Sequence, residues 1–151
     1  MATPVTVGFI SDGSSGCRLA SKLSQRGFRV RLCSITAALE VNHKYSNFFS
    51  CKSPEEAAQG ASVLCLAVSD LRQCEAALAG ALSVIVEGTI VVLSGALPPS
   101  HLVALDKKLA EEKKRILLVD VYASVDSHSN LKILASGKDR ALEKTEPVLS
   151  V

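Results

Sequence analysis

The chain has 151 residues, with 17 Lys and Arg against 15 Asp and Glu, and a formal net charge of +2. That balance gives no basic stripe of the kind that drives nucleic-acid binding. Hydrophobic residues make up 48% and aromatics 4%, without tryptophan, so one core of Val, Leu, Ile and Ala, as in a sheet covered on both faces, is expected.

Further classes fall away on simple patterns. No uninterrupted apolar run approaches the ~20 residues of a membrane span. The opening Met1-Ala2-Thr3-Pro4-Val5 has neither a basic start nor a secretory apolar core. The five cysteines (Cys17, Cys33, Cys51, Cys65 and Cys74) form no C-x-x-C pair. They read as buried small hydrophobes in a reducing, cytoplasmic compartment. His43 with Cys51, Cys65 or Cys74 lacks metal-ligand spacing, so no metal is expected.

In chain order, Val5 to Ile10 reads as a buried strand and Ser11 to Gly16 as a turn of small residues. Cys17 to Arg26 reads as a helix that Gly27 ends, with Gly16, Leu19, Ala20 and Leu23 on one face. Phe28 to Cys33 is a second strand and Asn47 to Cys51 a weaker one. Ser53 and Pro54 suit the N-cap and first position of a short helix. Ser62 to Val68 is continuously apolar and reads as a strand. A helix follows Ser69-Asp70, carrying Leu71, Cys74, Ala77 and Leu78 inward. Thr89 to Leu93 is a strand. Pro98-Pro99 opens a helix with Leu102, Leu105 and Leu109 inward, and Glu111 to Arg115 forms its solvated last turn. Ile116 to Val119 is a further strand. After Asp120 the pattern changes. Ser124 to Asn130 reads as a polar loop, Leu131 to Ala135 as a short strand, Ser136 to Asp139 as a turn, and Arg140 to about Val148 as a last helix. Alternating strands and helices predict an α/β fold: a doubly wound, Rossmann-type, mostly parallel sheet with helices on both faces.

The first strand, turn, helix and second strand together suggest a dinucleotide-binding unit. Small turn residues let the backbone approach a pyrophosphate, and a helix N-terminus offers it N–H groups and positive charge. G-x-G-x-x-G laid on this turn asks for glycine at 11, 13 and 16, and the chain has Ser11, Gly13 and Gly16. The tight-turn position is altered. The close-approach and helix-packing positions survive. The same residues also fit a serine-rich loop with no ligand. Ser124, Asp126 and His128 have adjacent spacing and no G-x-S-x-G elbow, so they do not read as a hydrolase triad.

With these segments placed, the chain resembles the β-hydroxyacid dehydrogenase family, relatives of 6-phosphogluconate dehydrogenase, over essentially all 151 residues. Val7 to Gly16 sits where that family has V-G-F-I-G-L-G-x-M-G. Leu23 to Val30 matches L-x-x-x-G-x-x-V. Ser53 to Val68 resembles S-P-x-E-x-x-x-x-A-D-V-V-I-x-x-L. Val119 to Ser124 sits at L-D-A-P-V-S-G-G, Leu131 to Gly137 at L-x-I-M-V-G-G, and Pro147 to Leu149 at P-V-L. It also looks similar to dehydrogenase-like domains fused to a class II aldolase-like region in large plant proteins.

The resemblance implies one dinucleotide-binding domain over residues 1–151, corresponding to the family's N-terminal domain. It implies a site for NADP or NAD at Gly8, Ile10, Ser11, Asp12, Gly13, Ser14, Ser15, Gly16, Ser34, Ile35, Thr36, Ala67, Val68 and Ser94. A weak substrate-binding role would fall to Ser124, Val125 and Asp126. The departures are specific. Ser34-Ile35-Thr36 replaces the family's N-R-T and offers neither an arginine for a 2′-phosphate nor an acidic residue for a ribose hydroxyl. Gly95 stands for a threonine after Ser94. Val125-Asp126 replaces two glycines and adds a negative charge that should repel a hydroxyacid. The family's catalytic lysine belongs to a later helical domain, which this chain stops short of, so no residue here takes a catalytic role. Weak cofactor binding is expected. The surface that meets the helical domain in the family is expected to drive self-association or binding to a helical partner. A non-catalytic binding or interaction module is the alternative.

Overall fold

The computed structural model describes residues 5–12, 14–35, 47–68, 70–86, 88–94, 117–125 and 131–137, with residues 100, 103, 104, 107, 142, 143, 146 and 148. Seven strands form one sheet: β1 (Thr6–Ser11), β2 (Arg29–Ser34), β3 (Phe48–Cys51), β4 (Val63–Ala67), β5 (Ile90–Ser94), β6 (Leu117–Val125) and β7 (Leu131–Gly137). Their spatial order is β3-β2-β1-β4-β5-β6-β7. Every neighbouring pair is parallel except β6 with β7, which is antiparallel. The chain order reverses between β1 and β4, as in the dinucleotide-binding class of doubly wound sheets. The expected α/β fold is the one observed.

Three helices have described ends: α1 (Ser14–Gln25), α2 (Pro54–Ala58) and α3 (Leu71–Leu82). Ser53 caps α2, its hydroxyl accepting from the Glu56 backbone N–H, and Pro54 takes the first helical position. Asp70 caps α3 by accepting from the Gln73 N–H. Residues 100, 103, 104 and 107 are helical, as are 142, 143, 146 and 148. Leu102, Leu105, Leu109 and the run 111–115 lie outside the described residues.

Strand alternation splits the core into two layers. On one side Val7, Phe9, Val30, Leu32, Val63, Cys65, Ile90 and Val92 pack with Ala20 and Leu23 of α1 and with Val148. On the other side Ile10, Cys33, Leu64, Leu66, Val91 and Leu93 pack with α2 and α3. Leu23 is fully buried, worth about 1.5–3 kcal/mol on the usual scale for such a side chain. Gly8 has a packing reason: a Cβ there would stand 2.4 Å from the Ala57 carbonyl oxygen of α2.

Several segment boundaries differ from expectation: β1 takes in Ser11, which was expected in the turn, and β5 takes in Ser94. Helix α1 begins at Ser14 rather than Cys17, because serines suit the first turn of a helix as well as a loop. Strand β6 runs to Val125, so Ser124 and Val125 belong to a strand and not to a polar loop. Asp120, Tyr122 and Ser124 alternate with Val121, Ala123 and Val125, the period of a strand. Ser136 and Gly137 likewise extend β7, pairing with Asp120 and Val119.

Candidate functional site at the carboxyl edge of the sheet

The strands at the point of reversal end in small residues. Ser11 closes β1 and pairs with Ser34 of β2 on one side and Ala67 of β4 on the other. Ser94 closes β5 beside Val121 of β6. Ser11, Ser34 and Ala67 thus lie side by side at one edge, with Ser94 ending the next strand. Helix α1 starts three residues after Ser11. Its first N–H groups, those of Ser14, Ser15 and Gly16, have no acceptor within the helix.

The backbone next to Ser11 is already committed. The Asp12 N–H donates to the Ala67 carbonyl at 3.2 Å, and the Ile35 N–H donates to the Ser11 carbonyl at 3.0 Å. These bonds tie the ends of β2, β1 and β4 together. They also leave the first turn of α1 as the source of N–H groups for an anion.

Ser11 is 0% exposed. Val7 and Phe9 face the α1 layer, and alternation puts Ser11 on the same side. Its hydroxymethyl group is therefore buried on the α1 side of the sheet, and its backbone is that of a strand. No left-handed turn is needed at this position.

The remaining expected residues divide clearly. Ile10 and Val68 are buried in the α2–α3 layer, and Ile35 packs against it. Gly8 lies inside β1, three residues before the strand end, where its packing against α2 accounts for it. Asp12, Ser34 and Ala67 are half-buried. Gly13, Thr36 and Asp126 lie outside the described residues. Ser124 and Val125 pair with Lys132 and Leu131 of β7. Strand β6 continues four residues past its last pair with β5, about 13 Å at strand spacing. The end of the β6–β7 ribbon thus stands beyond the carboxyl edge.

Sequence reasoning missed Asn47, which anchors β3 beside α1. Its side-chain N–H donates to the Ser24 carbonyl at 2.8 Å and to the Phe28 carbonyl at 2.9 Å, and its Oδ1 accepts from the Ser24 hydroxyl at 2.8 Å. A lone Asn before a weak strand carries no periodic signal. The thiols of Cys33, Cys51 and Cys74 are raised above their ordinary value mainly by burial, and burial pushes Cys65 up to about 12. Among the described residues no group of three His, Cys, Asp or Glu side chains could hold a metal ion. No helix among them is long and apolar enough to cross a membrane.

Comparison with known proteins agrees with this geometry. The family model for the NAD binding domain of 6-phosphogluconate dehydrogenase matches residues 6–151. L-threonate dehydrogenase of Cupriavidus necator is 28% identical over 149 residues, which cover 95% of this chain and 50% of that protein. The crystal structure of 3-hydroxyisobutyrate dehydrogenase (ygbJ) from Salmonella typhimurium has a TM-score of 0.82 at 18% identity, covering 97% of this chain and 53% of that one. The Mycobacterium tuberculosis 3-hydroxyisobutyrate dehydrogenase structure with L-serine has a TM-score of 0.76 at 18% identity, covering 97% and 51%. The chain thus spans about half the length of these relatives. It belongs to the family of NAD-binding domains of 6-phosphogluconate dehydrogenase.

Proposed function

We propose that the chain binds NAD or NADP at the carboxyl edge between β1 and β4, as the nucleotide-binding part of an oxidoreductase acting on a small hydroxyacid. The observation that carries this reading is the reversal of strand order beside the first turn of α1, at strand ends closed by Ser11, Ser34 and Ala67. The donor set fits a dinucleotide. Backbone N–H groups of Ser14, Ser15 and Gly16 would take the pyrophosphate, with Gly13 leaving room for it. Ser34, Ile35 and Thr36 would border the adenosine ribose. Ala67, Val68 and Ser94 would border the nicotinamide end, and Ser124, Val125 and Asp126 a substrate beyond it. When bound, the nicotinamide ring supplies the hydride acceptor.

Proton transfer from a substrate hydroxyl needs a positioned base, and none is assigned among residues 1–151. A further helical domain or a second copy is the proposed source. The half-length match to the relatives supports this part of the reading. A cytoplasmic site of action agrees with the free thiols of Cys33, Cys51, Cys65 and Cys74. The narrower likeness to plant fusion proteins draws no support from the relatives above.

Calorimetric titration with NAD and with NADP tests binding. A Kd in the micromolar range or weaker is expected, about −8 kcal/mol or less favourable. Absence of heat with both cofactors would favour the non-catalytic interaction module. A spectrophotometric screen of small hydroxyacids is expected to show no useful NAD(P)H formation by this chain. Sedimentation over a range of concentrations is expected to show self-association.

A further inference from the structure

Two of the free cysteines are neighbours in the sheet. Cys33 of β2 and Cys51 of β3 are register partners in the parallel ladder. Both lie on the same side of the sheet: Cys33 is part of the α2–α3 layer, and Cys51 packs against it. Adjacent strands run about 4.8 Å apart, inside the Cα separation of about 4.4–6.8 Å that a disulfide spans. β3 is an edge strand, four residues long, with a sheet neighbour on one side only. Access is unequal. Cys33 is 2% exposed, whereas Cys51 is half-buried.

We propose that Cys33 and Cys51 are a thiol modification site, forming a reversible disulfide across the β2–β3 ladder by exchange with a low-molecular-weight disulfide. The more accessible Cys51 thiolate attacks one sulfur of the reagent. The reagent's S–S bond breaks, a mixed disulfide forms on Cys51, and the first small thiolate leaves and takes a proton. The Cys33 thiolate then attacks Sγ of Cys51. The Cys33–Cys51 bond forms and the second small thiolate leaves. The two protein thiols lose two electrons and the small disulfide is reduced to two thiols, so the exchange balances.

Burial first, and then the charges around the pair, set its pace. Arg31 lies beside Cys51 and favours its thiolate, while burial and Glu56 oppose it. Cys33 is held protonated by burial, by Cys51 and by Glu55 and Glu56. Both thiols are raised, so exchange is slow at neutral pH and quickens as pH rises toward 9. Cys65 sits in the other layer and Cys74 on α3, and neither has a register partner of this kind.

The site stands independently of dinucleotide binding. The full chain is incubated with glutathione disulfide at pH 7 and pH 9, quenched by alkylation, and mapped by mass spectrometry. The expected product is an internal Cys33–Cys51 link, loss of two hydrogens without retained glutathione, formed several-fold faster at pH 9. Cys51→Ser removes the link, whereas Cys65→Ser keeps it. A stable glutathione adduct on Cys51 without the link, a link through another cysteine such as Cys17, or unmodified thiols would each overturn the proposal. The wild-type map alone decides if a variant fails to fold.

Discussion

The carboxyl ends of β1 and β2 are adjacent, joined by the Ile35 N–H to the Ser11 carbonyl, yet they keep the family pattern to different degrees. At β1 the first glycine of the pattern is Ser11, but the side chain is buried, the strand runs through it, and α1 begins at Ser14. At β2 the residues Ser34-Ile35-Thr36 include neither the arginine nor the acidic residue of the family pattern. Ser34 ends the strand and Ile35 turns into the α2–α3 layer. A pyrophosphate is held by backbone N–H groups and a helix dipole, which survive side-chain change. A ribose hydroxyl or 2′-phosphate is recognised by a carboxylate or guanidinium, which does not. The comparison therefore predicts affinity for a dinucleotide without strong discrimination between NAD and NADP.

The largest expected effect comes from disturbing the layer that supports both ends. Gly8→Val would drive a branched side chain into the Ala57 carbonyl, whose oxygen lies 2.4 Å from a Cβ at this position. Because the obstacle is backbone, α2 must move off β1. A loss of about 3 kcal/mol is expected from overpacking of this kind, read as a lower midpoint in urea. A shift under 1 kcal/mol would mean that α2 is loosely seated.

The next two changes separate the ends. Gly13→Val is expected to weaken both NAD and NADP by about thirtyfold, or about 2 kcal/mol, by filling the space for the pyrophosphate. Equal affinities before and after would remove the pyrophosphate from this turn. Ser34→Asp is expected to shift preference toward NAD by about tenfold, since an acidic residue at the end of β2 accepts from the ribose hydroxyl and repels a 2′-phosphate. The unaltered chain is expected to distinguish the two cofactors by less than tenfold. A native preference far above that would mean that recognition comes from residues other than Ser34 and Ile35.

The sequence made the strands at the point of reversal legible because they are buried on both faces and read as continuous apolar runs. Val63 to Ala67 and Ile90 to Leu93 are examples. It made the N-cap of α2 legible because Ser53-Pro54 acts locally. The end of β6 was obscured by the polar residues Asp120, Tyr122 and Ser124, which interrupt the apolar run although the strand continues in its pairing with β7. The Cys33–Cys51 pairing and the Asn47 clamp depend on register between strands, which no local pattern encodes. Ser11 was expected in the turn, whereas it closes β1, and neither its place nor its consequence was legible. A serine in place of glycine suggests strain until the side chain is seen to have somewhere to go.

That point yields the smallest and most discriminating prediction. If Ser11 blocked the pyrophosphate, Ser11→Gly would tighten dinucleotide binding by tenfold or more. The buried side chain argues otherwise. Ser11 is 0% exposed and its ladder pairs with Ser34 and Ala67 are complete. Removing the hydroxymethyl group opens space on the α1 side of the sheet rather than in the crevice, and frees the backbone of the unfolded chain. Affinity is expected to change by less than threefold, under about 0.7 kcal/mol, while stability falls by about 1 kcal/mol. Titration and urea unfolding of the same variant read the two quantities separately. A tenfold gain in affinity at constant stability would place the obstacle at β1 after all, and would reverse the contrast between the two strand ends.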